Sequence, residues 1–555
     1  MALVHRINSN FGFVLNTLYC KCTTNIKRFV TEHNVMRYSN QVGADKHTNY
    51  IPFDQMLKFR QDEAQKCILV RLSDMKHISD FEKFCKYYVT VVNIFPYYTV
   101  NNNNFVLMEL QSIEDVQHLR DIAVFKTDVE CAQSVTPLFS FKPRKKIYPN
   151  KSENNISIYS NFKAPTPNKI DKLLGQVDSV SDQMIALYNC LKITDLDIRL
   201  RFYTANEISY YLSRLFPNIC VVPFGSSVNG FGQIGCDLDL LCKTIENSNK
   251  EINWRKFLFM TQNIPLAERN EQKEFLEAVG TVMKMCIPGI SDIRKILEAR
   301  VPIIKFYNLY TNMKCDLSST NLIALHMSEL LYIYGQLDWR IKPLVCTIRK
   351  WARVMNLTKD QPGHWITNFS LTLLIIFYLQ TKDILPSVNT IRCFVELSKS
   401  NSKDPNFNWI TSWKTSIKRT NDEDLHNLLF NFFEYYSIFD FKTQAICIRD
   451  GRYKPKNDFS PLYIYNPFNS TLNVSKNVTS CGLIRLVDCF QKAFNTMLNS
   501  AEKDVILKLI NLEAKTKKTN CGFNDQKTQI GLEEKLLPTV TNINSLAKIQ
   551  GNIIK

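Results

Sequence analysis

What this chain has little of narrows its chemistry first. Acidic residues are in deficit, 52 Asp and Glu against 69 Lys and Arg, for a net charge of +17. An excess of that size favours an anionic partner, because a positive surface steers polyanions toward it. No apolar run reaches the ~18 residues that a membrane-crossing helix requires; the strongest, Phe369 to Leu379, reads as a buried core helix. The 17 cysteines include no Cys-x-x-Cys pair, and Cys20 and Cys22 sit in a segment expected to be removed. That pattern excludes a zinc cluster or a disulfide framework and leaves free, mostly buried thiols. Glycine is sparse, at 16 residues, yet four of them fall within Val221 to Lys243.

That stretch, VVPFGSSVNGFGQIGCDLDLLCK, is the richest in chemistry. A β-forming run enters Gly225-Ser226-Ser227, and ten residues separate Ser226 from Asp237. Asp237 and Asp239 then alternate with Leu238 and Leu240, so on a strand both carboxylates share one face and both leucines the other. Paired carboxylates suit Mg²⁺ or Mn²⁺, hard cations that bind through one or two carboxylates plus substrate phosphates. A glycine turn with two hydroxyls lets backbone N–H groups and Ser226 and Ser227 approach a polyphosphate. A β-rich run from Ala299 to Phe306, a turn near Tyr310 to Asn312, and Met313 to Ser318 bring in a third acid, Asp316. Cys236 and Cys315 precede proposed acids and are expected to pack on the opposite face.

Gly-Ser, a spacer, Asp-x-Asp and a distant third Asp resemble the signature of the DNA polymerase β-like nucleotidyltransferases. The segments ALHMSELLYIYGQLDWRIKPLVCTIRKWAR and WITNFSLTLLIIFYLQ are similar to those of the poly(A) polymerases and terminal uridylyltransferases of that superfamily. The resemblance covers residues from about 180 to 480. It implies an α+β fold: a nucleotidyltransferase palm of mixed sheet and helices, then a helical central domain, preceded by a small RNA-recognition-like α/β domain.

The expected organisation follows the chain. Residues 1–40, basic with Glu32 as their only acid, read as a mitochondrial presequence. Residues 50–140 form the small α/β domain, with strands Cys67 to Leu72 and Phe105 to Leu110, a helix Ile78 to Tyr88, and a capping box at Ser112 to Asp115. Its strand Phe105 to Leu110 lacks the aromatic and basic pattern that stacks bases, so a protein-contact role is expected; the resemblance implies homodimerisation through it. Residues 141–169 read as a basic linker, 170–320 as the palm, 321–500 as the helical domain, and 501–555 as a helix and flexible tail.

By the resemblance, Arg349 and Arg353, stacked at i and i+4, match two triphosphate-binding lysines, and Asn368 and Phe369 match a Ser-Tyr pair whose ring stacks on the base. Ala324 and Ser328 fall where sugar and base contacts are expected. Met327 stands where uridylyltransferases carry an asparagine, a departure that argues against UTP. Residues 461–480 resemble the nucleotide-recognition motif, with Pro467 and Phe468 fitting it. The expected function is template-independent addition of AMP from ATP to RNA 3′ ends in the mitochondrial matrix, with Asp237, Asp239 and Asp316 as metal-holding catalytic residues. A terminal uridylyltransferase and a catalytically silent RNA-binding scaffold are the alternatives.

Overall fold

The structure is a computed structural model and describes residues 50–122, 138–141, 165–216, 218–244, 269–319, 321–359, 363–401, 410, 412–413 and 421–511. The expected presequence, most of the linker and the tail beyond residue 511 lie outside these.

The first described elements are α1 (Phe53–Gln65), β1 (Cys67–Leu72), α2 (Ile78–Tyr88), β2 (Val91–Tyr98), β3 (Asn104–Leu110), α3 (Ile113–Ile122) and β4 (Leu138–Phe141). Three of these, α1, β2 and β4, were not expected from the sequence. β2 contains Pro96, which cannot donate a ladder hydrogen bond; the sheet order β2-β3-β1-β4 places it on an edge, where proline is tolerated. The order from β1 to β4 is therefore the split β-α-β-β-α-β arrangement. Ser112 accepts from the Asp115 amide at 3.1 Å, as its spacing predicts for a helix start.

One face of this sheet, with Ile68, Val70, Val106 and Met108, packs on α2 and α3. The other, with Leu69, Tyr97, Phe105 and Leu107, shares a core with the next unit. The Tyr97 hydroxyl donates to the Tyr310 carbonyl at 3.0 Å.

That unit comprises α4 (Pro167–Leu174), α5 (Val180–Leu191), α6 (Asp195–Leu212), β5 (Ile219–Phe224), β6 (Leu238–Thr244), α7 (Arg269–Cys286), β7 (Ile290–Ile296), β8 (Ile303–Asn308) and β9 (Met313–Ser318). Its sheet runs β5-β6-β9-β8-β7, parallel between β6 and β9 and antiparallel elsewhere. Leu238, Leu240, Cys315 and Leu317 point into the core shared with α6 and α7. Strand alternation therefore turns Asp239 and Asp316 to the opposite face, toward Phe224 and Leu241.

The helical part follows as α8 (Leu322–Leu337), α9 (Ile341–Val354), α10 (Asn368–Thr381), α11 (Val388–Asn401), α12 (Leu425–Ile438), β10 (Gln444–Cys447), β11 (Arg452–Pro455), α13 (Ser480–Leu498) and α14 (Val505–Asn511). Residues Leu371 to Leu379 of α10 are all buried, so this apolar run is a core helix. Trp351 of α9 lies 4.7 Å from Phe433 and 5.6 Å from Phe490, centroid to centroid, and joins α9, α12 and α13. No helix among the described residues is long and apolar enough to cross a membrane.

Candidate active site

The Gly-Ser-Ser turn caps the end of β5. Gly225 has φ +67°, a conformation L residues rarely adopt, and a Cβ there would lie 2.7 Å from Asp239 Oδ2. The turn can thus pass over the carboxylate only as glycine. Gly232 answers a second close approach, since its Cβ would meet the Ser226 carbonyl oxygen at 2.5 Å. Asp239 and Asp316 are register partners on parallel β6 and β9. Asp237 lies one residue before β6 begins, so the alternation expected on one strand is split between a strand and its lead-in.

Charge around the carboxylates is only partly balanced. Asp316 is held by the Lys305 ammonium, its register neighbour on β8. The Asp239 carboxyl is pushed up to about 7, first by burial and then by the negative charges of Asp316 and Asp237, with Arg201 and Lys305 acting in the other direction. Among the described residues no three His, Cys, Asp or Glu side chains form a ready-made metal cluster. With Asp316 drawn to Lys305, the three acids do not close on one point. The donor set is nonetheless all carboxylate, and the Asp239 pKa, raised first by burial, is raised further by the Asp316 and Asp237 charges, a repulsion that a cation would relieve. Both fit a magnesium-type ion that takes its remaining ligands from phosphate and water.

Arg201 of α6 is the organiser that the sequence reading missed. Only 2% exposed, it donates through Nη1 to Ser227 Oγ at 2.9 Å and the Asp237 carbonyl at 3.0 Å, and through Nη2 to the Cys236 carbonyl at 2.7 Å. One planar fork thereby fixes the turn to the acid-bearing segment. Ser227, expected at the phosphate, is turned inward to this guanidinium. Cys236, expected to pack away from the acids, instead accepts hydrogen bonds at its Sγ from Arg201 Nη2 at 3.3 Å and Ser226 Oγ at 3.4 Å. The only hint of Arg201 in the sequence is that it is one of two cations, with Arg199, in an apolar helical pattern, which a solvated position would produce equally well.

On the helical side, Ser328 of α8 accepts from the Gly225 amide at 2.7 Å and donates to the Ala324 carbonyl at 2.6 Å. It positions the turn from a buried place, and Ala324 beside it is half-buried. Arg349 and Arg353 differ. Arg349 donates to Thr372 Oγ1 at 2.6 and 3.0 Å and to the Phe231 carbonyl at 2.8 Å, tying α9 to α10 and to the glycine-rich segment. Burial pushes its pKa down to about 10, so it stays cationic at neutral pH. Arg353, one turn on, is exposed. Phe369 is half-buried and Asn368 exposed at the start of α10. Met327 is buried in α8, and Phe468 faces the His326 ring at 5.8 Å.

Residues 180–336 match the family described as "Poly(A) RNA polymerase, mitochondrial-like, central palm domain", and residues 424–473 match "Cid1 family poly A polymerase". The mitochondrial poly(A) RNA polymerase of Mus musculus is 33% identical over 461 residues, covering 81% of this chain and 77% of that protein. That of Homo sapiens is 34% identical over 444 residues, covering 79% and 75%. The chain belongs to the mitochondrial poly(A) RNA polymerase family. It is a polynucleotide adenylyltransferase. A crystal structure of mtPAP in complex with ATPγS superposes with a TM-score of 0.69 at 31% identity, covering 83% of this chain and 98% of that one. One of mtPAP in complex with UTP gives 0.70 at 30% identity, with the same coverage. In this polymerase α8 meets the Gly225 turn through Ser328, and α9 holds the glycine-rich segment through Arg349.

Proposed function

We propose that this polymerase extends RNA 3′ ends in the mitochondrial matrix with AMP drawn from ATP, using divalent ions held by Asp237, Asp239 and Asp316. The observation that carries the reading is the register of Asp239 with Asp316 directly beneath the left-handed Gly225 turn. Divalent ions at these carboxylates would lower the pKa of the attacking 3′-OH and neutralise the departing pyrophosphate. Ser226 offers a hydroxyl to the triphosphate, and Arg353, exposed on α9, offers a cation at its far end. Arg349 acts through position, keeping α9 and the glycine-rich segment in register. Phe369 presents a half-buried ring on which the adenine can stack. The matrix location rests on the basic N-terminal segment and on relatives named as mitochondrial enzymes. We further propose a homodimer through the N-terminal α/β unit.

The test uses purified protein, a 3′-OH RNA primer, Mg²⁺ and each NTP separately, with Asp237→Ala as control. Long ladders with ATP alone, absent from the variant, are the expected result. Ladders with UTP alone would overturn the nucleotide assignment, and near-normal turnover by the variant would sink the metal assignment. Light scattering of the same preparation reads the dimer, and a monomer at working concentration would refute it.

A further inference from the structure

Away from the carboxylates, the β10–β11 hairpin and the 465–471 loop enclose a cavity of about 440 Å³, lined by Arg449, Lys454, Asn457, Tyr465, Ser470 and Thr471 among others. Arg449 donates from Nε to the Pro467 carbonyl at 2.8 Å. Among the described residues its two Nη groups meet no protein acceptor. Lys454 is shared with Asp450, so Arg449 is the stronger anchor for an anion. Two aromatic rings stand out beside the cavity: Tyr453 of β11 is 56% exposed, and Phe459, in the loop that follows β11, fully so. The Phe459 loop is built, because Lys456 Nζ donates to the Ser460 and Pro461 carbonyls at 2.7 and 2.8 Å and the Ser460 amide donates to Asp458 at 2.8 Å. The loop therefore presents the phenyl ring to solvent from a fixed backbone.

Cations inside a polar pocket with aromatic rings outside it match the pattern by which single-stranded nucleic acid is held, phosphates on the cations and bases on the rings. We propose that this hairpin is a docking site for single-stranded RNA upstream of the 3′ end, with a phosphate at Arg449 and Lys454 and bases stacked on Tyr453 and Phe459. A polynucleotide fits better than a mononucleotide, because one nucleotide filling the cavity would leave the outward rings uncovered. The pocket wall also includes Asn466, in the loop whose Phe468 packs on His326 of α8, and α8 holds the Gly225 turn through Ser328. RNA seated here would therefore brace the loop facing the catalytic turn. The inference rests on the reading of RNA as substrate.

The test compares full-length wild type with the double variant Tyr453→Ala/Phe459→Ala and with Lys454→Gln, using 3′-deoxy oligoadenylates of two lengths, one of only a few nucleotides. The double variant should bind the long RNA about thirtyfold or more weakly, since two base–aromatic stacks of about 1–3 kcal/mol each are lost. Its affinity for the shortest RNA and its KM for ATP should be unchanged. Lys454→Gln should flatten the salt dependence of long-RNA binding by about one phosphate contact. Unchanged long-RNA affinity would overturn the site, as would an equal loss on both lengths. Binding of free AMP that Lys454→Gln abolishes while long-RNA affinity stays intact would overturn the polynucleotide assignment. A wild type that extends no RNA would instead overturn the underlying reading.

Discussion

Arg201 and Asp239 carry opposite lessons about buried charge. Arg201 binds two carbonyls and a hydroxyl through its Nη groups, and its removal leaves these buried acceptors unpaired at about 1–3 kcal/mol each. Arg201→Lys keeps the charge but cannot span all three acceptors. It should lower kcat by roughly 10–100-fold, since misplaced reacting groups cost that much, while KM for ATP stays within a few-fold; an unchanged kcat would remove Arg201 from the positioning role. Asp239 is held folded at a cost. Its pKa rises on folding from the usual 3.8 to about 7, so the folded state binds the proton more tightly. Its destabilising contribution is therefore absent below about pH 4, grows as pH rises, and is complete above about 7. Asp239→Asn should stabilise the fold in EDTA at pH 8 by on the order of 2–4 kcal/mol, read as a higher melting temperature, and leave the melting temperature unchanged near pH 4, while abolishing transfer. Adding Mg²⁺ should raise the melting temperature of wild type more than that of the variant. Equal melting of both proteins at pH 8 would show that folding does not raise the Asp239 pKa.

At the scale of elements, the turn between β5 and β6 depends on geometry that single residues cannot supply. Gly225→Ala meets both a left-handed backbone and an oxygen 2.7 Å away, so the turn must lift or Asp239 must swing aside. The variant should fold, with a loss of roughly 1–3 kcal/mol from the backbone conformation alone, and lose at least about 100-fold in kcat/KM from misplacement. Retained activity would mean that the turn does not set the carboxylate. This element was legible in advance because period-two alternation and clustered glycines are local signals. The helical domain after Asp316 was legible for the same reason, its apolar runs being continuous and long. β2 was not, because Pro96 argues against a strand until the edge position is known. The β10–β11 hairpin was missed too, since two four-residue strands carry little periodicity. Arg201, Ser328 and Arg349 became intelligible only through partners 26, 103 and 118 residues away, respectively, which no local pattern encodes.

Taken whole, the molecule uses its N-terminal sheet as a structural partner of the catalytic sheet. The face that comparable α/β units turn to bases carries Tyr97, Phe105 and Leu107, all at most 2% exposed, inside the core that also holds Leu240, Phe306 and Leu317. Phe105 lies 6.0 Å from Tyr310, and Arg199 of α6 bonds Glu63 of α1 at 2.8 Å and Glu109 of β3 at 3.0 Å. Two sheets that share a core should melt together. Phe105→Ala should therefore lower the single unfolding transition of the whole described body by about 3–5 kcal/mol, with RNA affinity unchanged at a temperature where the variant stays folded. Tyr97→Phe removes only the hydrogen bond to Tyr310 and should cost about 1 kcal/mol. Were the sheet instead a base-reading platform, Phe105→Ala would weaken RNA binding while thermal unfolding stayed at its wild-type temperature. Calorimetry and RNA titration on the same variant separate the two, because a buried wall and a binding face move different observables.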